Sequence, residues 1–176
     1  GQLAAAKTES DKLLATNPSL AEFVVLDARL DLKQGKVEQA LSHLKEAISL
    51  SPASWALRAA YAQTLMAAAQ PTKAMDELKA VARLRPGNAM FYDLLEQAAI
   101  KAGDKAATHR YRAEKLYAEG DIEPAIRQLE IALRQRDIDD YDAAEIQVLL
   151  EALKDEEREQ KKRGRDPLGV AAGARQ

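Results

Sequence analysis

Residues 31–52 read Asp-Leu-Lys-Gln-Gly-Lys-Val-Glu-Gln-Ala-Leu-Ser-His-Leu-Lys-Glu-Ala-Ile-Ser-Leu-Ser-Pro. Gly35 supplies a break where a helix end favours a left-handed residue. From Val37 the apolar positions are Val37, Ala40, Leu41, Leu44, Ala47 and Ile48, one face of a helix. Ser51-Pro52 closes the segment, because proline cannot continue a helix and pushes its predecessor out of the α region. Working outward, the same punctuation recurs. Pro18, Pro52 and Pro86 are evenly spaced, and Ala6, Ala40 and Ala74 repeat at the same interval.

That interval, about 34 residues, resembles the period of the tetratricopeptide repeat, a helix–turn–helix pair that stacks on its neighbours. Gly35, Ala40, Ala47 and Pro52 fall on its turn, small and closing positions. Ala28 and Ala62 fall on the small position of the first helix, where two helix axes approach closely. The resemblance covers roughly residues 1–135. It implies an all-α right-handed solenoid.

Composition agrees with helices and limits the functions. Of the 176 residues 47% are apolar, mostly Ala and Leu, and 5% are aromatic. Net charge is -2, which offers no broad electrostatic footprint for nucleic acid. No apolar run approaches the roughly 20 residues that span a bilayer. No signal peptide is visible in this stretch. There is no cysteine, which excludes disulfides and thiolate metal sites.

Helices are expected over Gln2–Thr16, about Leu20–Gln34, Val37–Leu50, about Ala53–Ala68 and Pro71–Leu84. Ser19 and Glu22 have capping-box spacing, Pro71 suits a first turn in place of the glycine turn, and Asn88 suits an N-cap. After Ala89–Ala102 the spacing halves, from Gly103 to Gly120. The helix from Lys105 to Ala118 is therefore read as shared between two units, and the array is put at about eight helices with a modified last unit. Beyond Asp121 the apolar face is Ile122, Ala125, Ile126, Leu129, Ala132 and Leu133. Asp139 and Asp140 read as helix caps. The last helix, about Tyr141–Lys162, is apolar on one face in its first half and charged all round in its second. Glu157–Lys161 and Glu159–Arg163 are pairs in the favourable order. The domain reading is a solenoid over 1–163 and a disordered tail over 164–176. The first helix has the proline and alanine of a closing helix, so the chain is expected to be part of a longer protein.

A narrower resemblance lies in residues 108–157. His109, Arg112, Ala113, Glu114, Gly120, Ala125, Ile126, Gln128, Leu129 and Tyr141 follow the pattern of BepA-like periplasmic zinc metalloproteases of Gram-negative bacteria, which carry a tetratricopeptide region after the protease domain. The resemblance implies a periplasmic, non-catalytic part of such an enzyme. Its clients would be misfolded outer-membrane proteins, and it would touch the barrel-assembly machinery. The catalytic string of that family, HExxH, does not occur in this chain. Zinc is accordingly expected only in a protease domain outside this sequence, and no cofactor or metal within it.

The histidines, His43 and His109, lie far apart in the sequence and are read as ordinary packing or surface residues. No nucleophile motif or phosphate loop is present, so no catalytic residue is assigned. The cluster Lys161, Lys162, Arg163 and Arg165 reads as the solvated end of a helix, where cations suit the dipole.

In arrays that resemble this one, the first helix of each unit lines the concave surface. The inward positions are Glu22, Val25, Arg29, Leu32 and Lys33, then Ala56, Ala59, Gln63, Met66 and Ala67, then Met90, Asp93, Gln97, Ile100 and Lys101. A peptide-binding groove is read from nine of these: Arg29, Leu32, Lys33, Gln63, Met66, Asp93, Gln97, Ile100 and Lys101. Amides and shallow apolar contacts suit an extended or helical peptide. Chaperone-tail clamps of this fold need Lys and Asn where this chain has Val25 and Arg29, then Ala59 and Gln63, so that activity is disfavoured. The function expected is protein–protein interaction. The alternative to a protease accessory domain is a stand-alone adaptor or assembly factor.

Overall fold

The computed structural model describes residues 2–17, 20–136 and 138–165. Nine α-helices follow one another among them: α1 (Gln2–Thr16), α2 (Ala21–Lys33), α3 (Val37–Leu50), α4 (Trp55–Ala67), α5 (Pro71–Leu84), α6 (Ala89–Ala102), α7 (Lys105–Glu119), α8 (Ile122–Leu133) and α9 (Asp140–Arg165). No strand occurs among the described residues. The count exceeds the expected eight, although the segments expected to be helical, one by one, are these same nine.

The turns form for the reasons read in the sequence. Asn88 caps α6 by accepting from the Met90 amide at 3.1 Å. Asp104 caps α7 from the Ala107 amide at 2.8 Å, and Asp139 caps α9 from the Asp142 amide at 2.7 Å. Pro71 begins α5. Gly103 and Gly120 end α6 and α7 in the left-handed region, at φ 76° and 94°. α9 runs on through Gly164 and Arg165, the first two residues of the expected tail, while Ser19 of the expected capping box and the rest of the tail lie outside the described residues.

Each helix packs on the next, and the first helices of successive units also pack together, α2 on α4 and α4 on α6. The alanines at the repeated small positions are sealed: Ala28 is 1% exposed, and Ala40, Ala62 and Ala74 are 0%. Three apolar clusters run along the array. One joins Val24 and Leu44 to Leu57. A second centres on Leu78, Phe91 and Leu95 and takes in Ala107 and Tyr111 of α7. The third holds Ala113 of α7 with Leu129, Ile146 and Leu153. One helix, α7, thus serves two cores, as the halved spacing implies.

In the charged half of α9, Lys161 meets Glu157 at 2.7 Å as expected. Glu159 pairs with Lys162 at 2.6 Å rather than with Arg163.

Candidate peptide-binding groove

The side-by-side packing of α2, α4 and α6 sets the residues read as groove-forming on consecutive helices. Arg29, Lys33, Gln63, Gln97, Ile100 and Lys101 are exposed, and Leu32 and Asp93 are half-buried. Met66 differs. It is 7% exposed and packs in the central core with Leu65, Met75 and Leu78, so its thioether is not offered to a ligand. Ala59, earlier on α4, is buried in the same cluster. Both lie where the adjoining helices close over the α4 surface.

Asp93 is the most constrained polar group of the set. It accepts from Lys115 of α7 at 2.5 Å and from the Gln97 amide nitrogen at 2.7 Å. The Lys115 ammonium holds the Asp93 carboxyl below its ordinary range, and Asp93 holds Lys115 above its own. These bonds orient the Gln97 amide and leave its oxygen available to a backbone N–H. Ile100 is 55% exposed. It borders a pocket of about 280 Å³ whose other walls include Lys105, Thr108 and His109. His109 is tied by Nδ1 to the Gln128 side-chain oxygen at 2.8 Å, which joins α7 to α8.

The electrostatic cluster between α5, α7 and α9 escapes sequence reading. Arg110 donates to Glu114 at 3.1 Å and pairs with Glu145 at 2.7 Å and Asp142 at 3.5 Å. These groups line a cavity of about 410 Å³ together with Lys79 and Tyr92. Burial pushes the Glu114 carboxyl up, against the pull of Arg110. Burial likewise pushes the Tyr111 hydroxyl up. For Arg110, burial works against the charge, but Glu114 and Glu145 outweigh it and hold the guanidinium ionised. The only sequence signal was Arg110 and Glu114 at i,i+4 spacing; their partners lie on another helix. The cluster fastens α9 to α7. Arg112, similarly, reaches Glu96 of α6 at 2.6 Å.

Residues 31–98 match the family model described as tetratricopeptide repeat. Over that stretch the chain is similar to tetratricopeptide repeats. Solved structures extend the likeness in fold. A tetratricopeptide protein of Thermus thermophilus, TTC0263, aligns over 87% of this chain and 91% of its own, with TM-score 0.55 and 20% identity. A crystal structure of MamA aligns over 91% of both chains, with TM-score 0.59 and 16% identity. The Naa15/Naa10 complex bound to HypK-THB contains a chain that matches 89% of this one over 27% of its own length, with TM-score 0.54 and 19% identity. Among curated proteins none matches. Solenoids of this fold present extended surfaces to other proteins.

Proposed function

We propose that the face built by α2, α4 and α6 binds a segment of another polypeptide, extended or helical, and that this domain performs recognition without catalysis. One observation carries the reading. Exposed amides and cations at equivalent positions of three stacked helices, Arg29, Gln63 and Gln97, surround half-buried or exposed apolar residues, Leu32 and Ile100. Amides can satisfy a peptide backbone that leaves water, and apolar neighbours can take alternate side chains. The relation to a protein assembly in the Naa15/Naa10 structure is in keeping with this.

The finer reading rests on the BepA-like pattern in residues 108–157. In it, the domain serves an envelope zinc metalloprotease of Gram-negative bacteria, in the periplasm. It presents outer-membrane proteins for quality control beside the barrel-assembly machinery, and the protease domain holds the zinc. Arg112, Ala113 and Glu114 of that pattern act in helix packing, which supports a shared architecture and leaves the client to be tested.

The test is binding of a fluorescent, urea-diluted outer-membrane porin, followed by anisotropy, with an unfolded soluble protein in parallel. Replacing Gln63, Asp93 and Gln97 by Ala should weaken binding roughly tenfold, about 1.4 kcal/mol, with the helical circular dichroism unchanged. Unchanged affinity would remove the groove. Equal affinity for both unfolded probes would keep the groove and remove the outer-membrane specialisation.

A further inference from the structure

Away from that groove, Asp27, Asp31 and His43 converge between α2 and α3. Asp27 and Asp31 are one turn apart on α2, and their side chains are 1% and 0% exposed. His43 faces them from α3 with Nδ1 3.4 Å from Asp27 Oδ2 and 3.6 Å from Asp31 Oδ2. The three candidate ligand atoms all lie within 4.8 Å of one another.

The charge of this cluster is not balanced. Lys7 reaches Asp27 Oδ1 at 2.5 Å and Asp31 Oδ1 at 3.0 Å from α1, and Ser10 donates to Asp27 Oδ1 at 3.0 Å. Lys7 also lies 3.4 Å from Asp11, so one ammonium answers three carboxylates. On the side away from Lys7, Asp27 Oδ2 and Asp31 Oδ2 have no hydrogen-bond partner among the described residues. A buried, unpartnered carboxylate oxygen is costly unless a cation meets it. The separations of 3.4 and 3.6 Å are too long for good hydrogen bonds. They do match the edge of a tetrahedron of ligands, roughly 3.4 Å for metal–ligand bonds of about 2.1 Å.

We propose that Asp27 Oδ2, Asp31 Oδ2 and His43 Nδ1 form a binding site for a divalent first-row transition ion, best zinc. Two carboxylates and one imidazole are a borderline-hard donor set that suits zinc. The ion supplies the charge that Lys7 leaves unanswered. His43 is 41% exposed and lines a pocket of about 290 Å³ with Glu46 and Leu50, which gives an entry path. A fourth position stays open to water on that side. Bound there, the ion clamps α2 to α3 at the start of the array. This site is separate from the zinc of any protease domain. The sequence alone hides it, because two residues of one helix meet a histidine of the next only once the pair has folded.

The experiment uses the full chain, freed of metal by chelator, titrated with ZnCl2 by calorimetry and with CoCl2 by visible absorption at neutral pH. One ion per chain is expected, with a Kd of about 10 μM or below and a tetrahedral-type cobalt spectrum. His43→Ala, at a half-exposed position, should weaken zinc binding at least roughly tenfold, with the metal-free circular dichroism unchanged. Asp31→Asn should do the same as a second variant. His109→Ala should bind as the parent does. Absence of saturable binding below millimolar zinc would overturn the site. So would binding that survives His43→Ala, since the ion would then sit elsewhere.

Discussion

Ala69 lies in the left-handed region at φ 56°, at the turn between α4 and α5. It stands one repeat after Gly35 and one repeat before Gly103, both of which adopt φ 76°. An L-residue in this conformation costs about 1–2 kcal/mol, partly offset because alanine restricts the unfolded chain by about 0.4–1 kcal/mol relative to glycine. Ala69→Gly should therefore stabilise the domain by about 0.5 kcal/mol, measured as a raised urea midpoint at constant slope. Gly103→Ala should destabilise it by about 1 kcal/mol. A Cβ at Gly103 meets nothing within 4 Å, so that cost is purely backbone. The repeat spacing marks position 69 as the equivalent of Gly35 and Gly103, yet an alanine there hides that it keeps the glycine conformation. Residue type alone, there, points to an ordinary loop. Met66 misled for the opposite reason: its helical position is inward, but neighbouring helices cover it.

At the scale of elements, the boundaries of the helices up to α8 were closely legible, because Pro, Gly, Asn and Asp punctuate them. The seating of α9 was not, because it depends on Arg110 meeting Asp142 and Glu145, which lie two helices further along the chain. Arg110→Ala should cost about 2–3 kcal/mol, since it strands a largely buried Glu114. The first turns of α9 should then exchange amide hydrogens faster than α8, while the exchange of α3 stays unchanged. Glu114 adds a pH dependence with a definite sign. Its folded carboxyl lies above the ordinary 4.5, so its contribution to stability is complete below that value. The contribution is lost as pH rises through the raised folded value. Thermal midpoints of the parent should thus fall across that acidic window relative to those of Glu114→Gln. Parallel curves would show that Glu114 does not titrate there.

Over the whole molecule, three core clusters, the first two meeting at α4 and the last two at α7, hold the first helices in a row and fix the spacing of Gln63 and Gln97. The fold follows from an even repeat period and small residues in register, which is why so much of it can be read before any coordinates exist. The groove was legible only in part. The solenoid dictates which positions face inward, but the Asp93–Lys115 tie that orients Gln97 depends on α7, outside the repeat consensus. The central claim is that polypeptides bind along α2, α4 and α6. Its most direct test is photo-crosslinking of the urea-diluted porin to a benzophenone amino acid placed at Gln63, at Gln97 or at the exposed Lys45 of α3. Crosslinks at Gln63 and Gln97, competed by unlabelled porin and absent at Lys45, are the predicted result. Equal crosslinking at all three positions, or labelling at Lys45 alone, would contradict it.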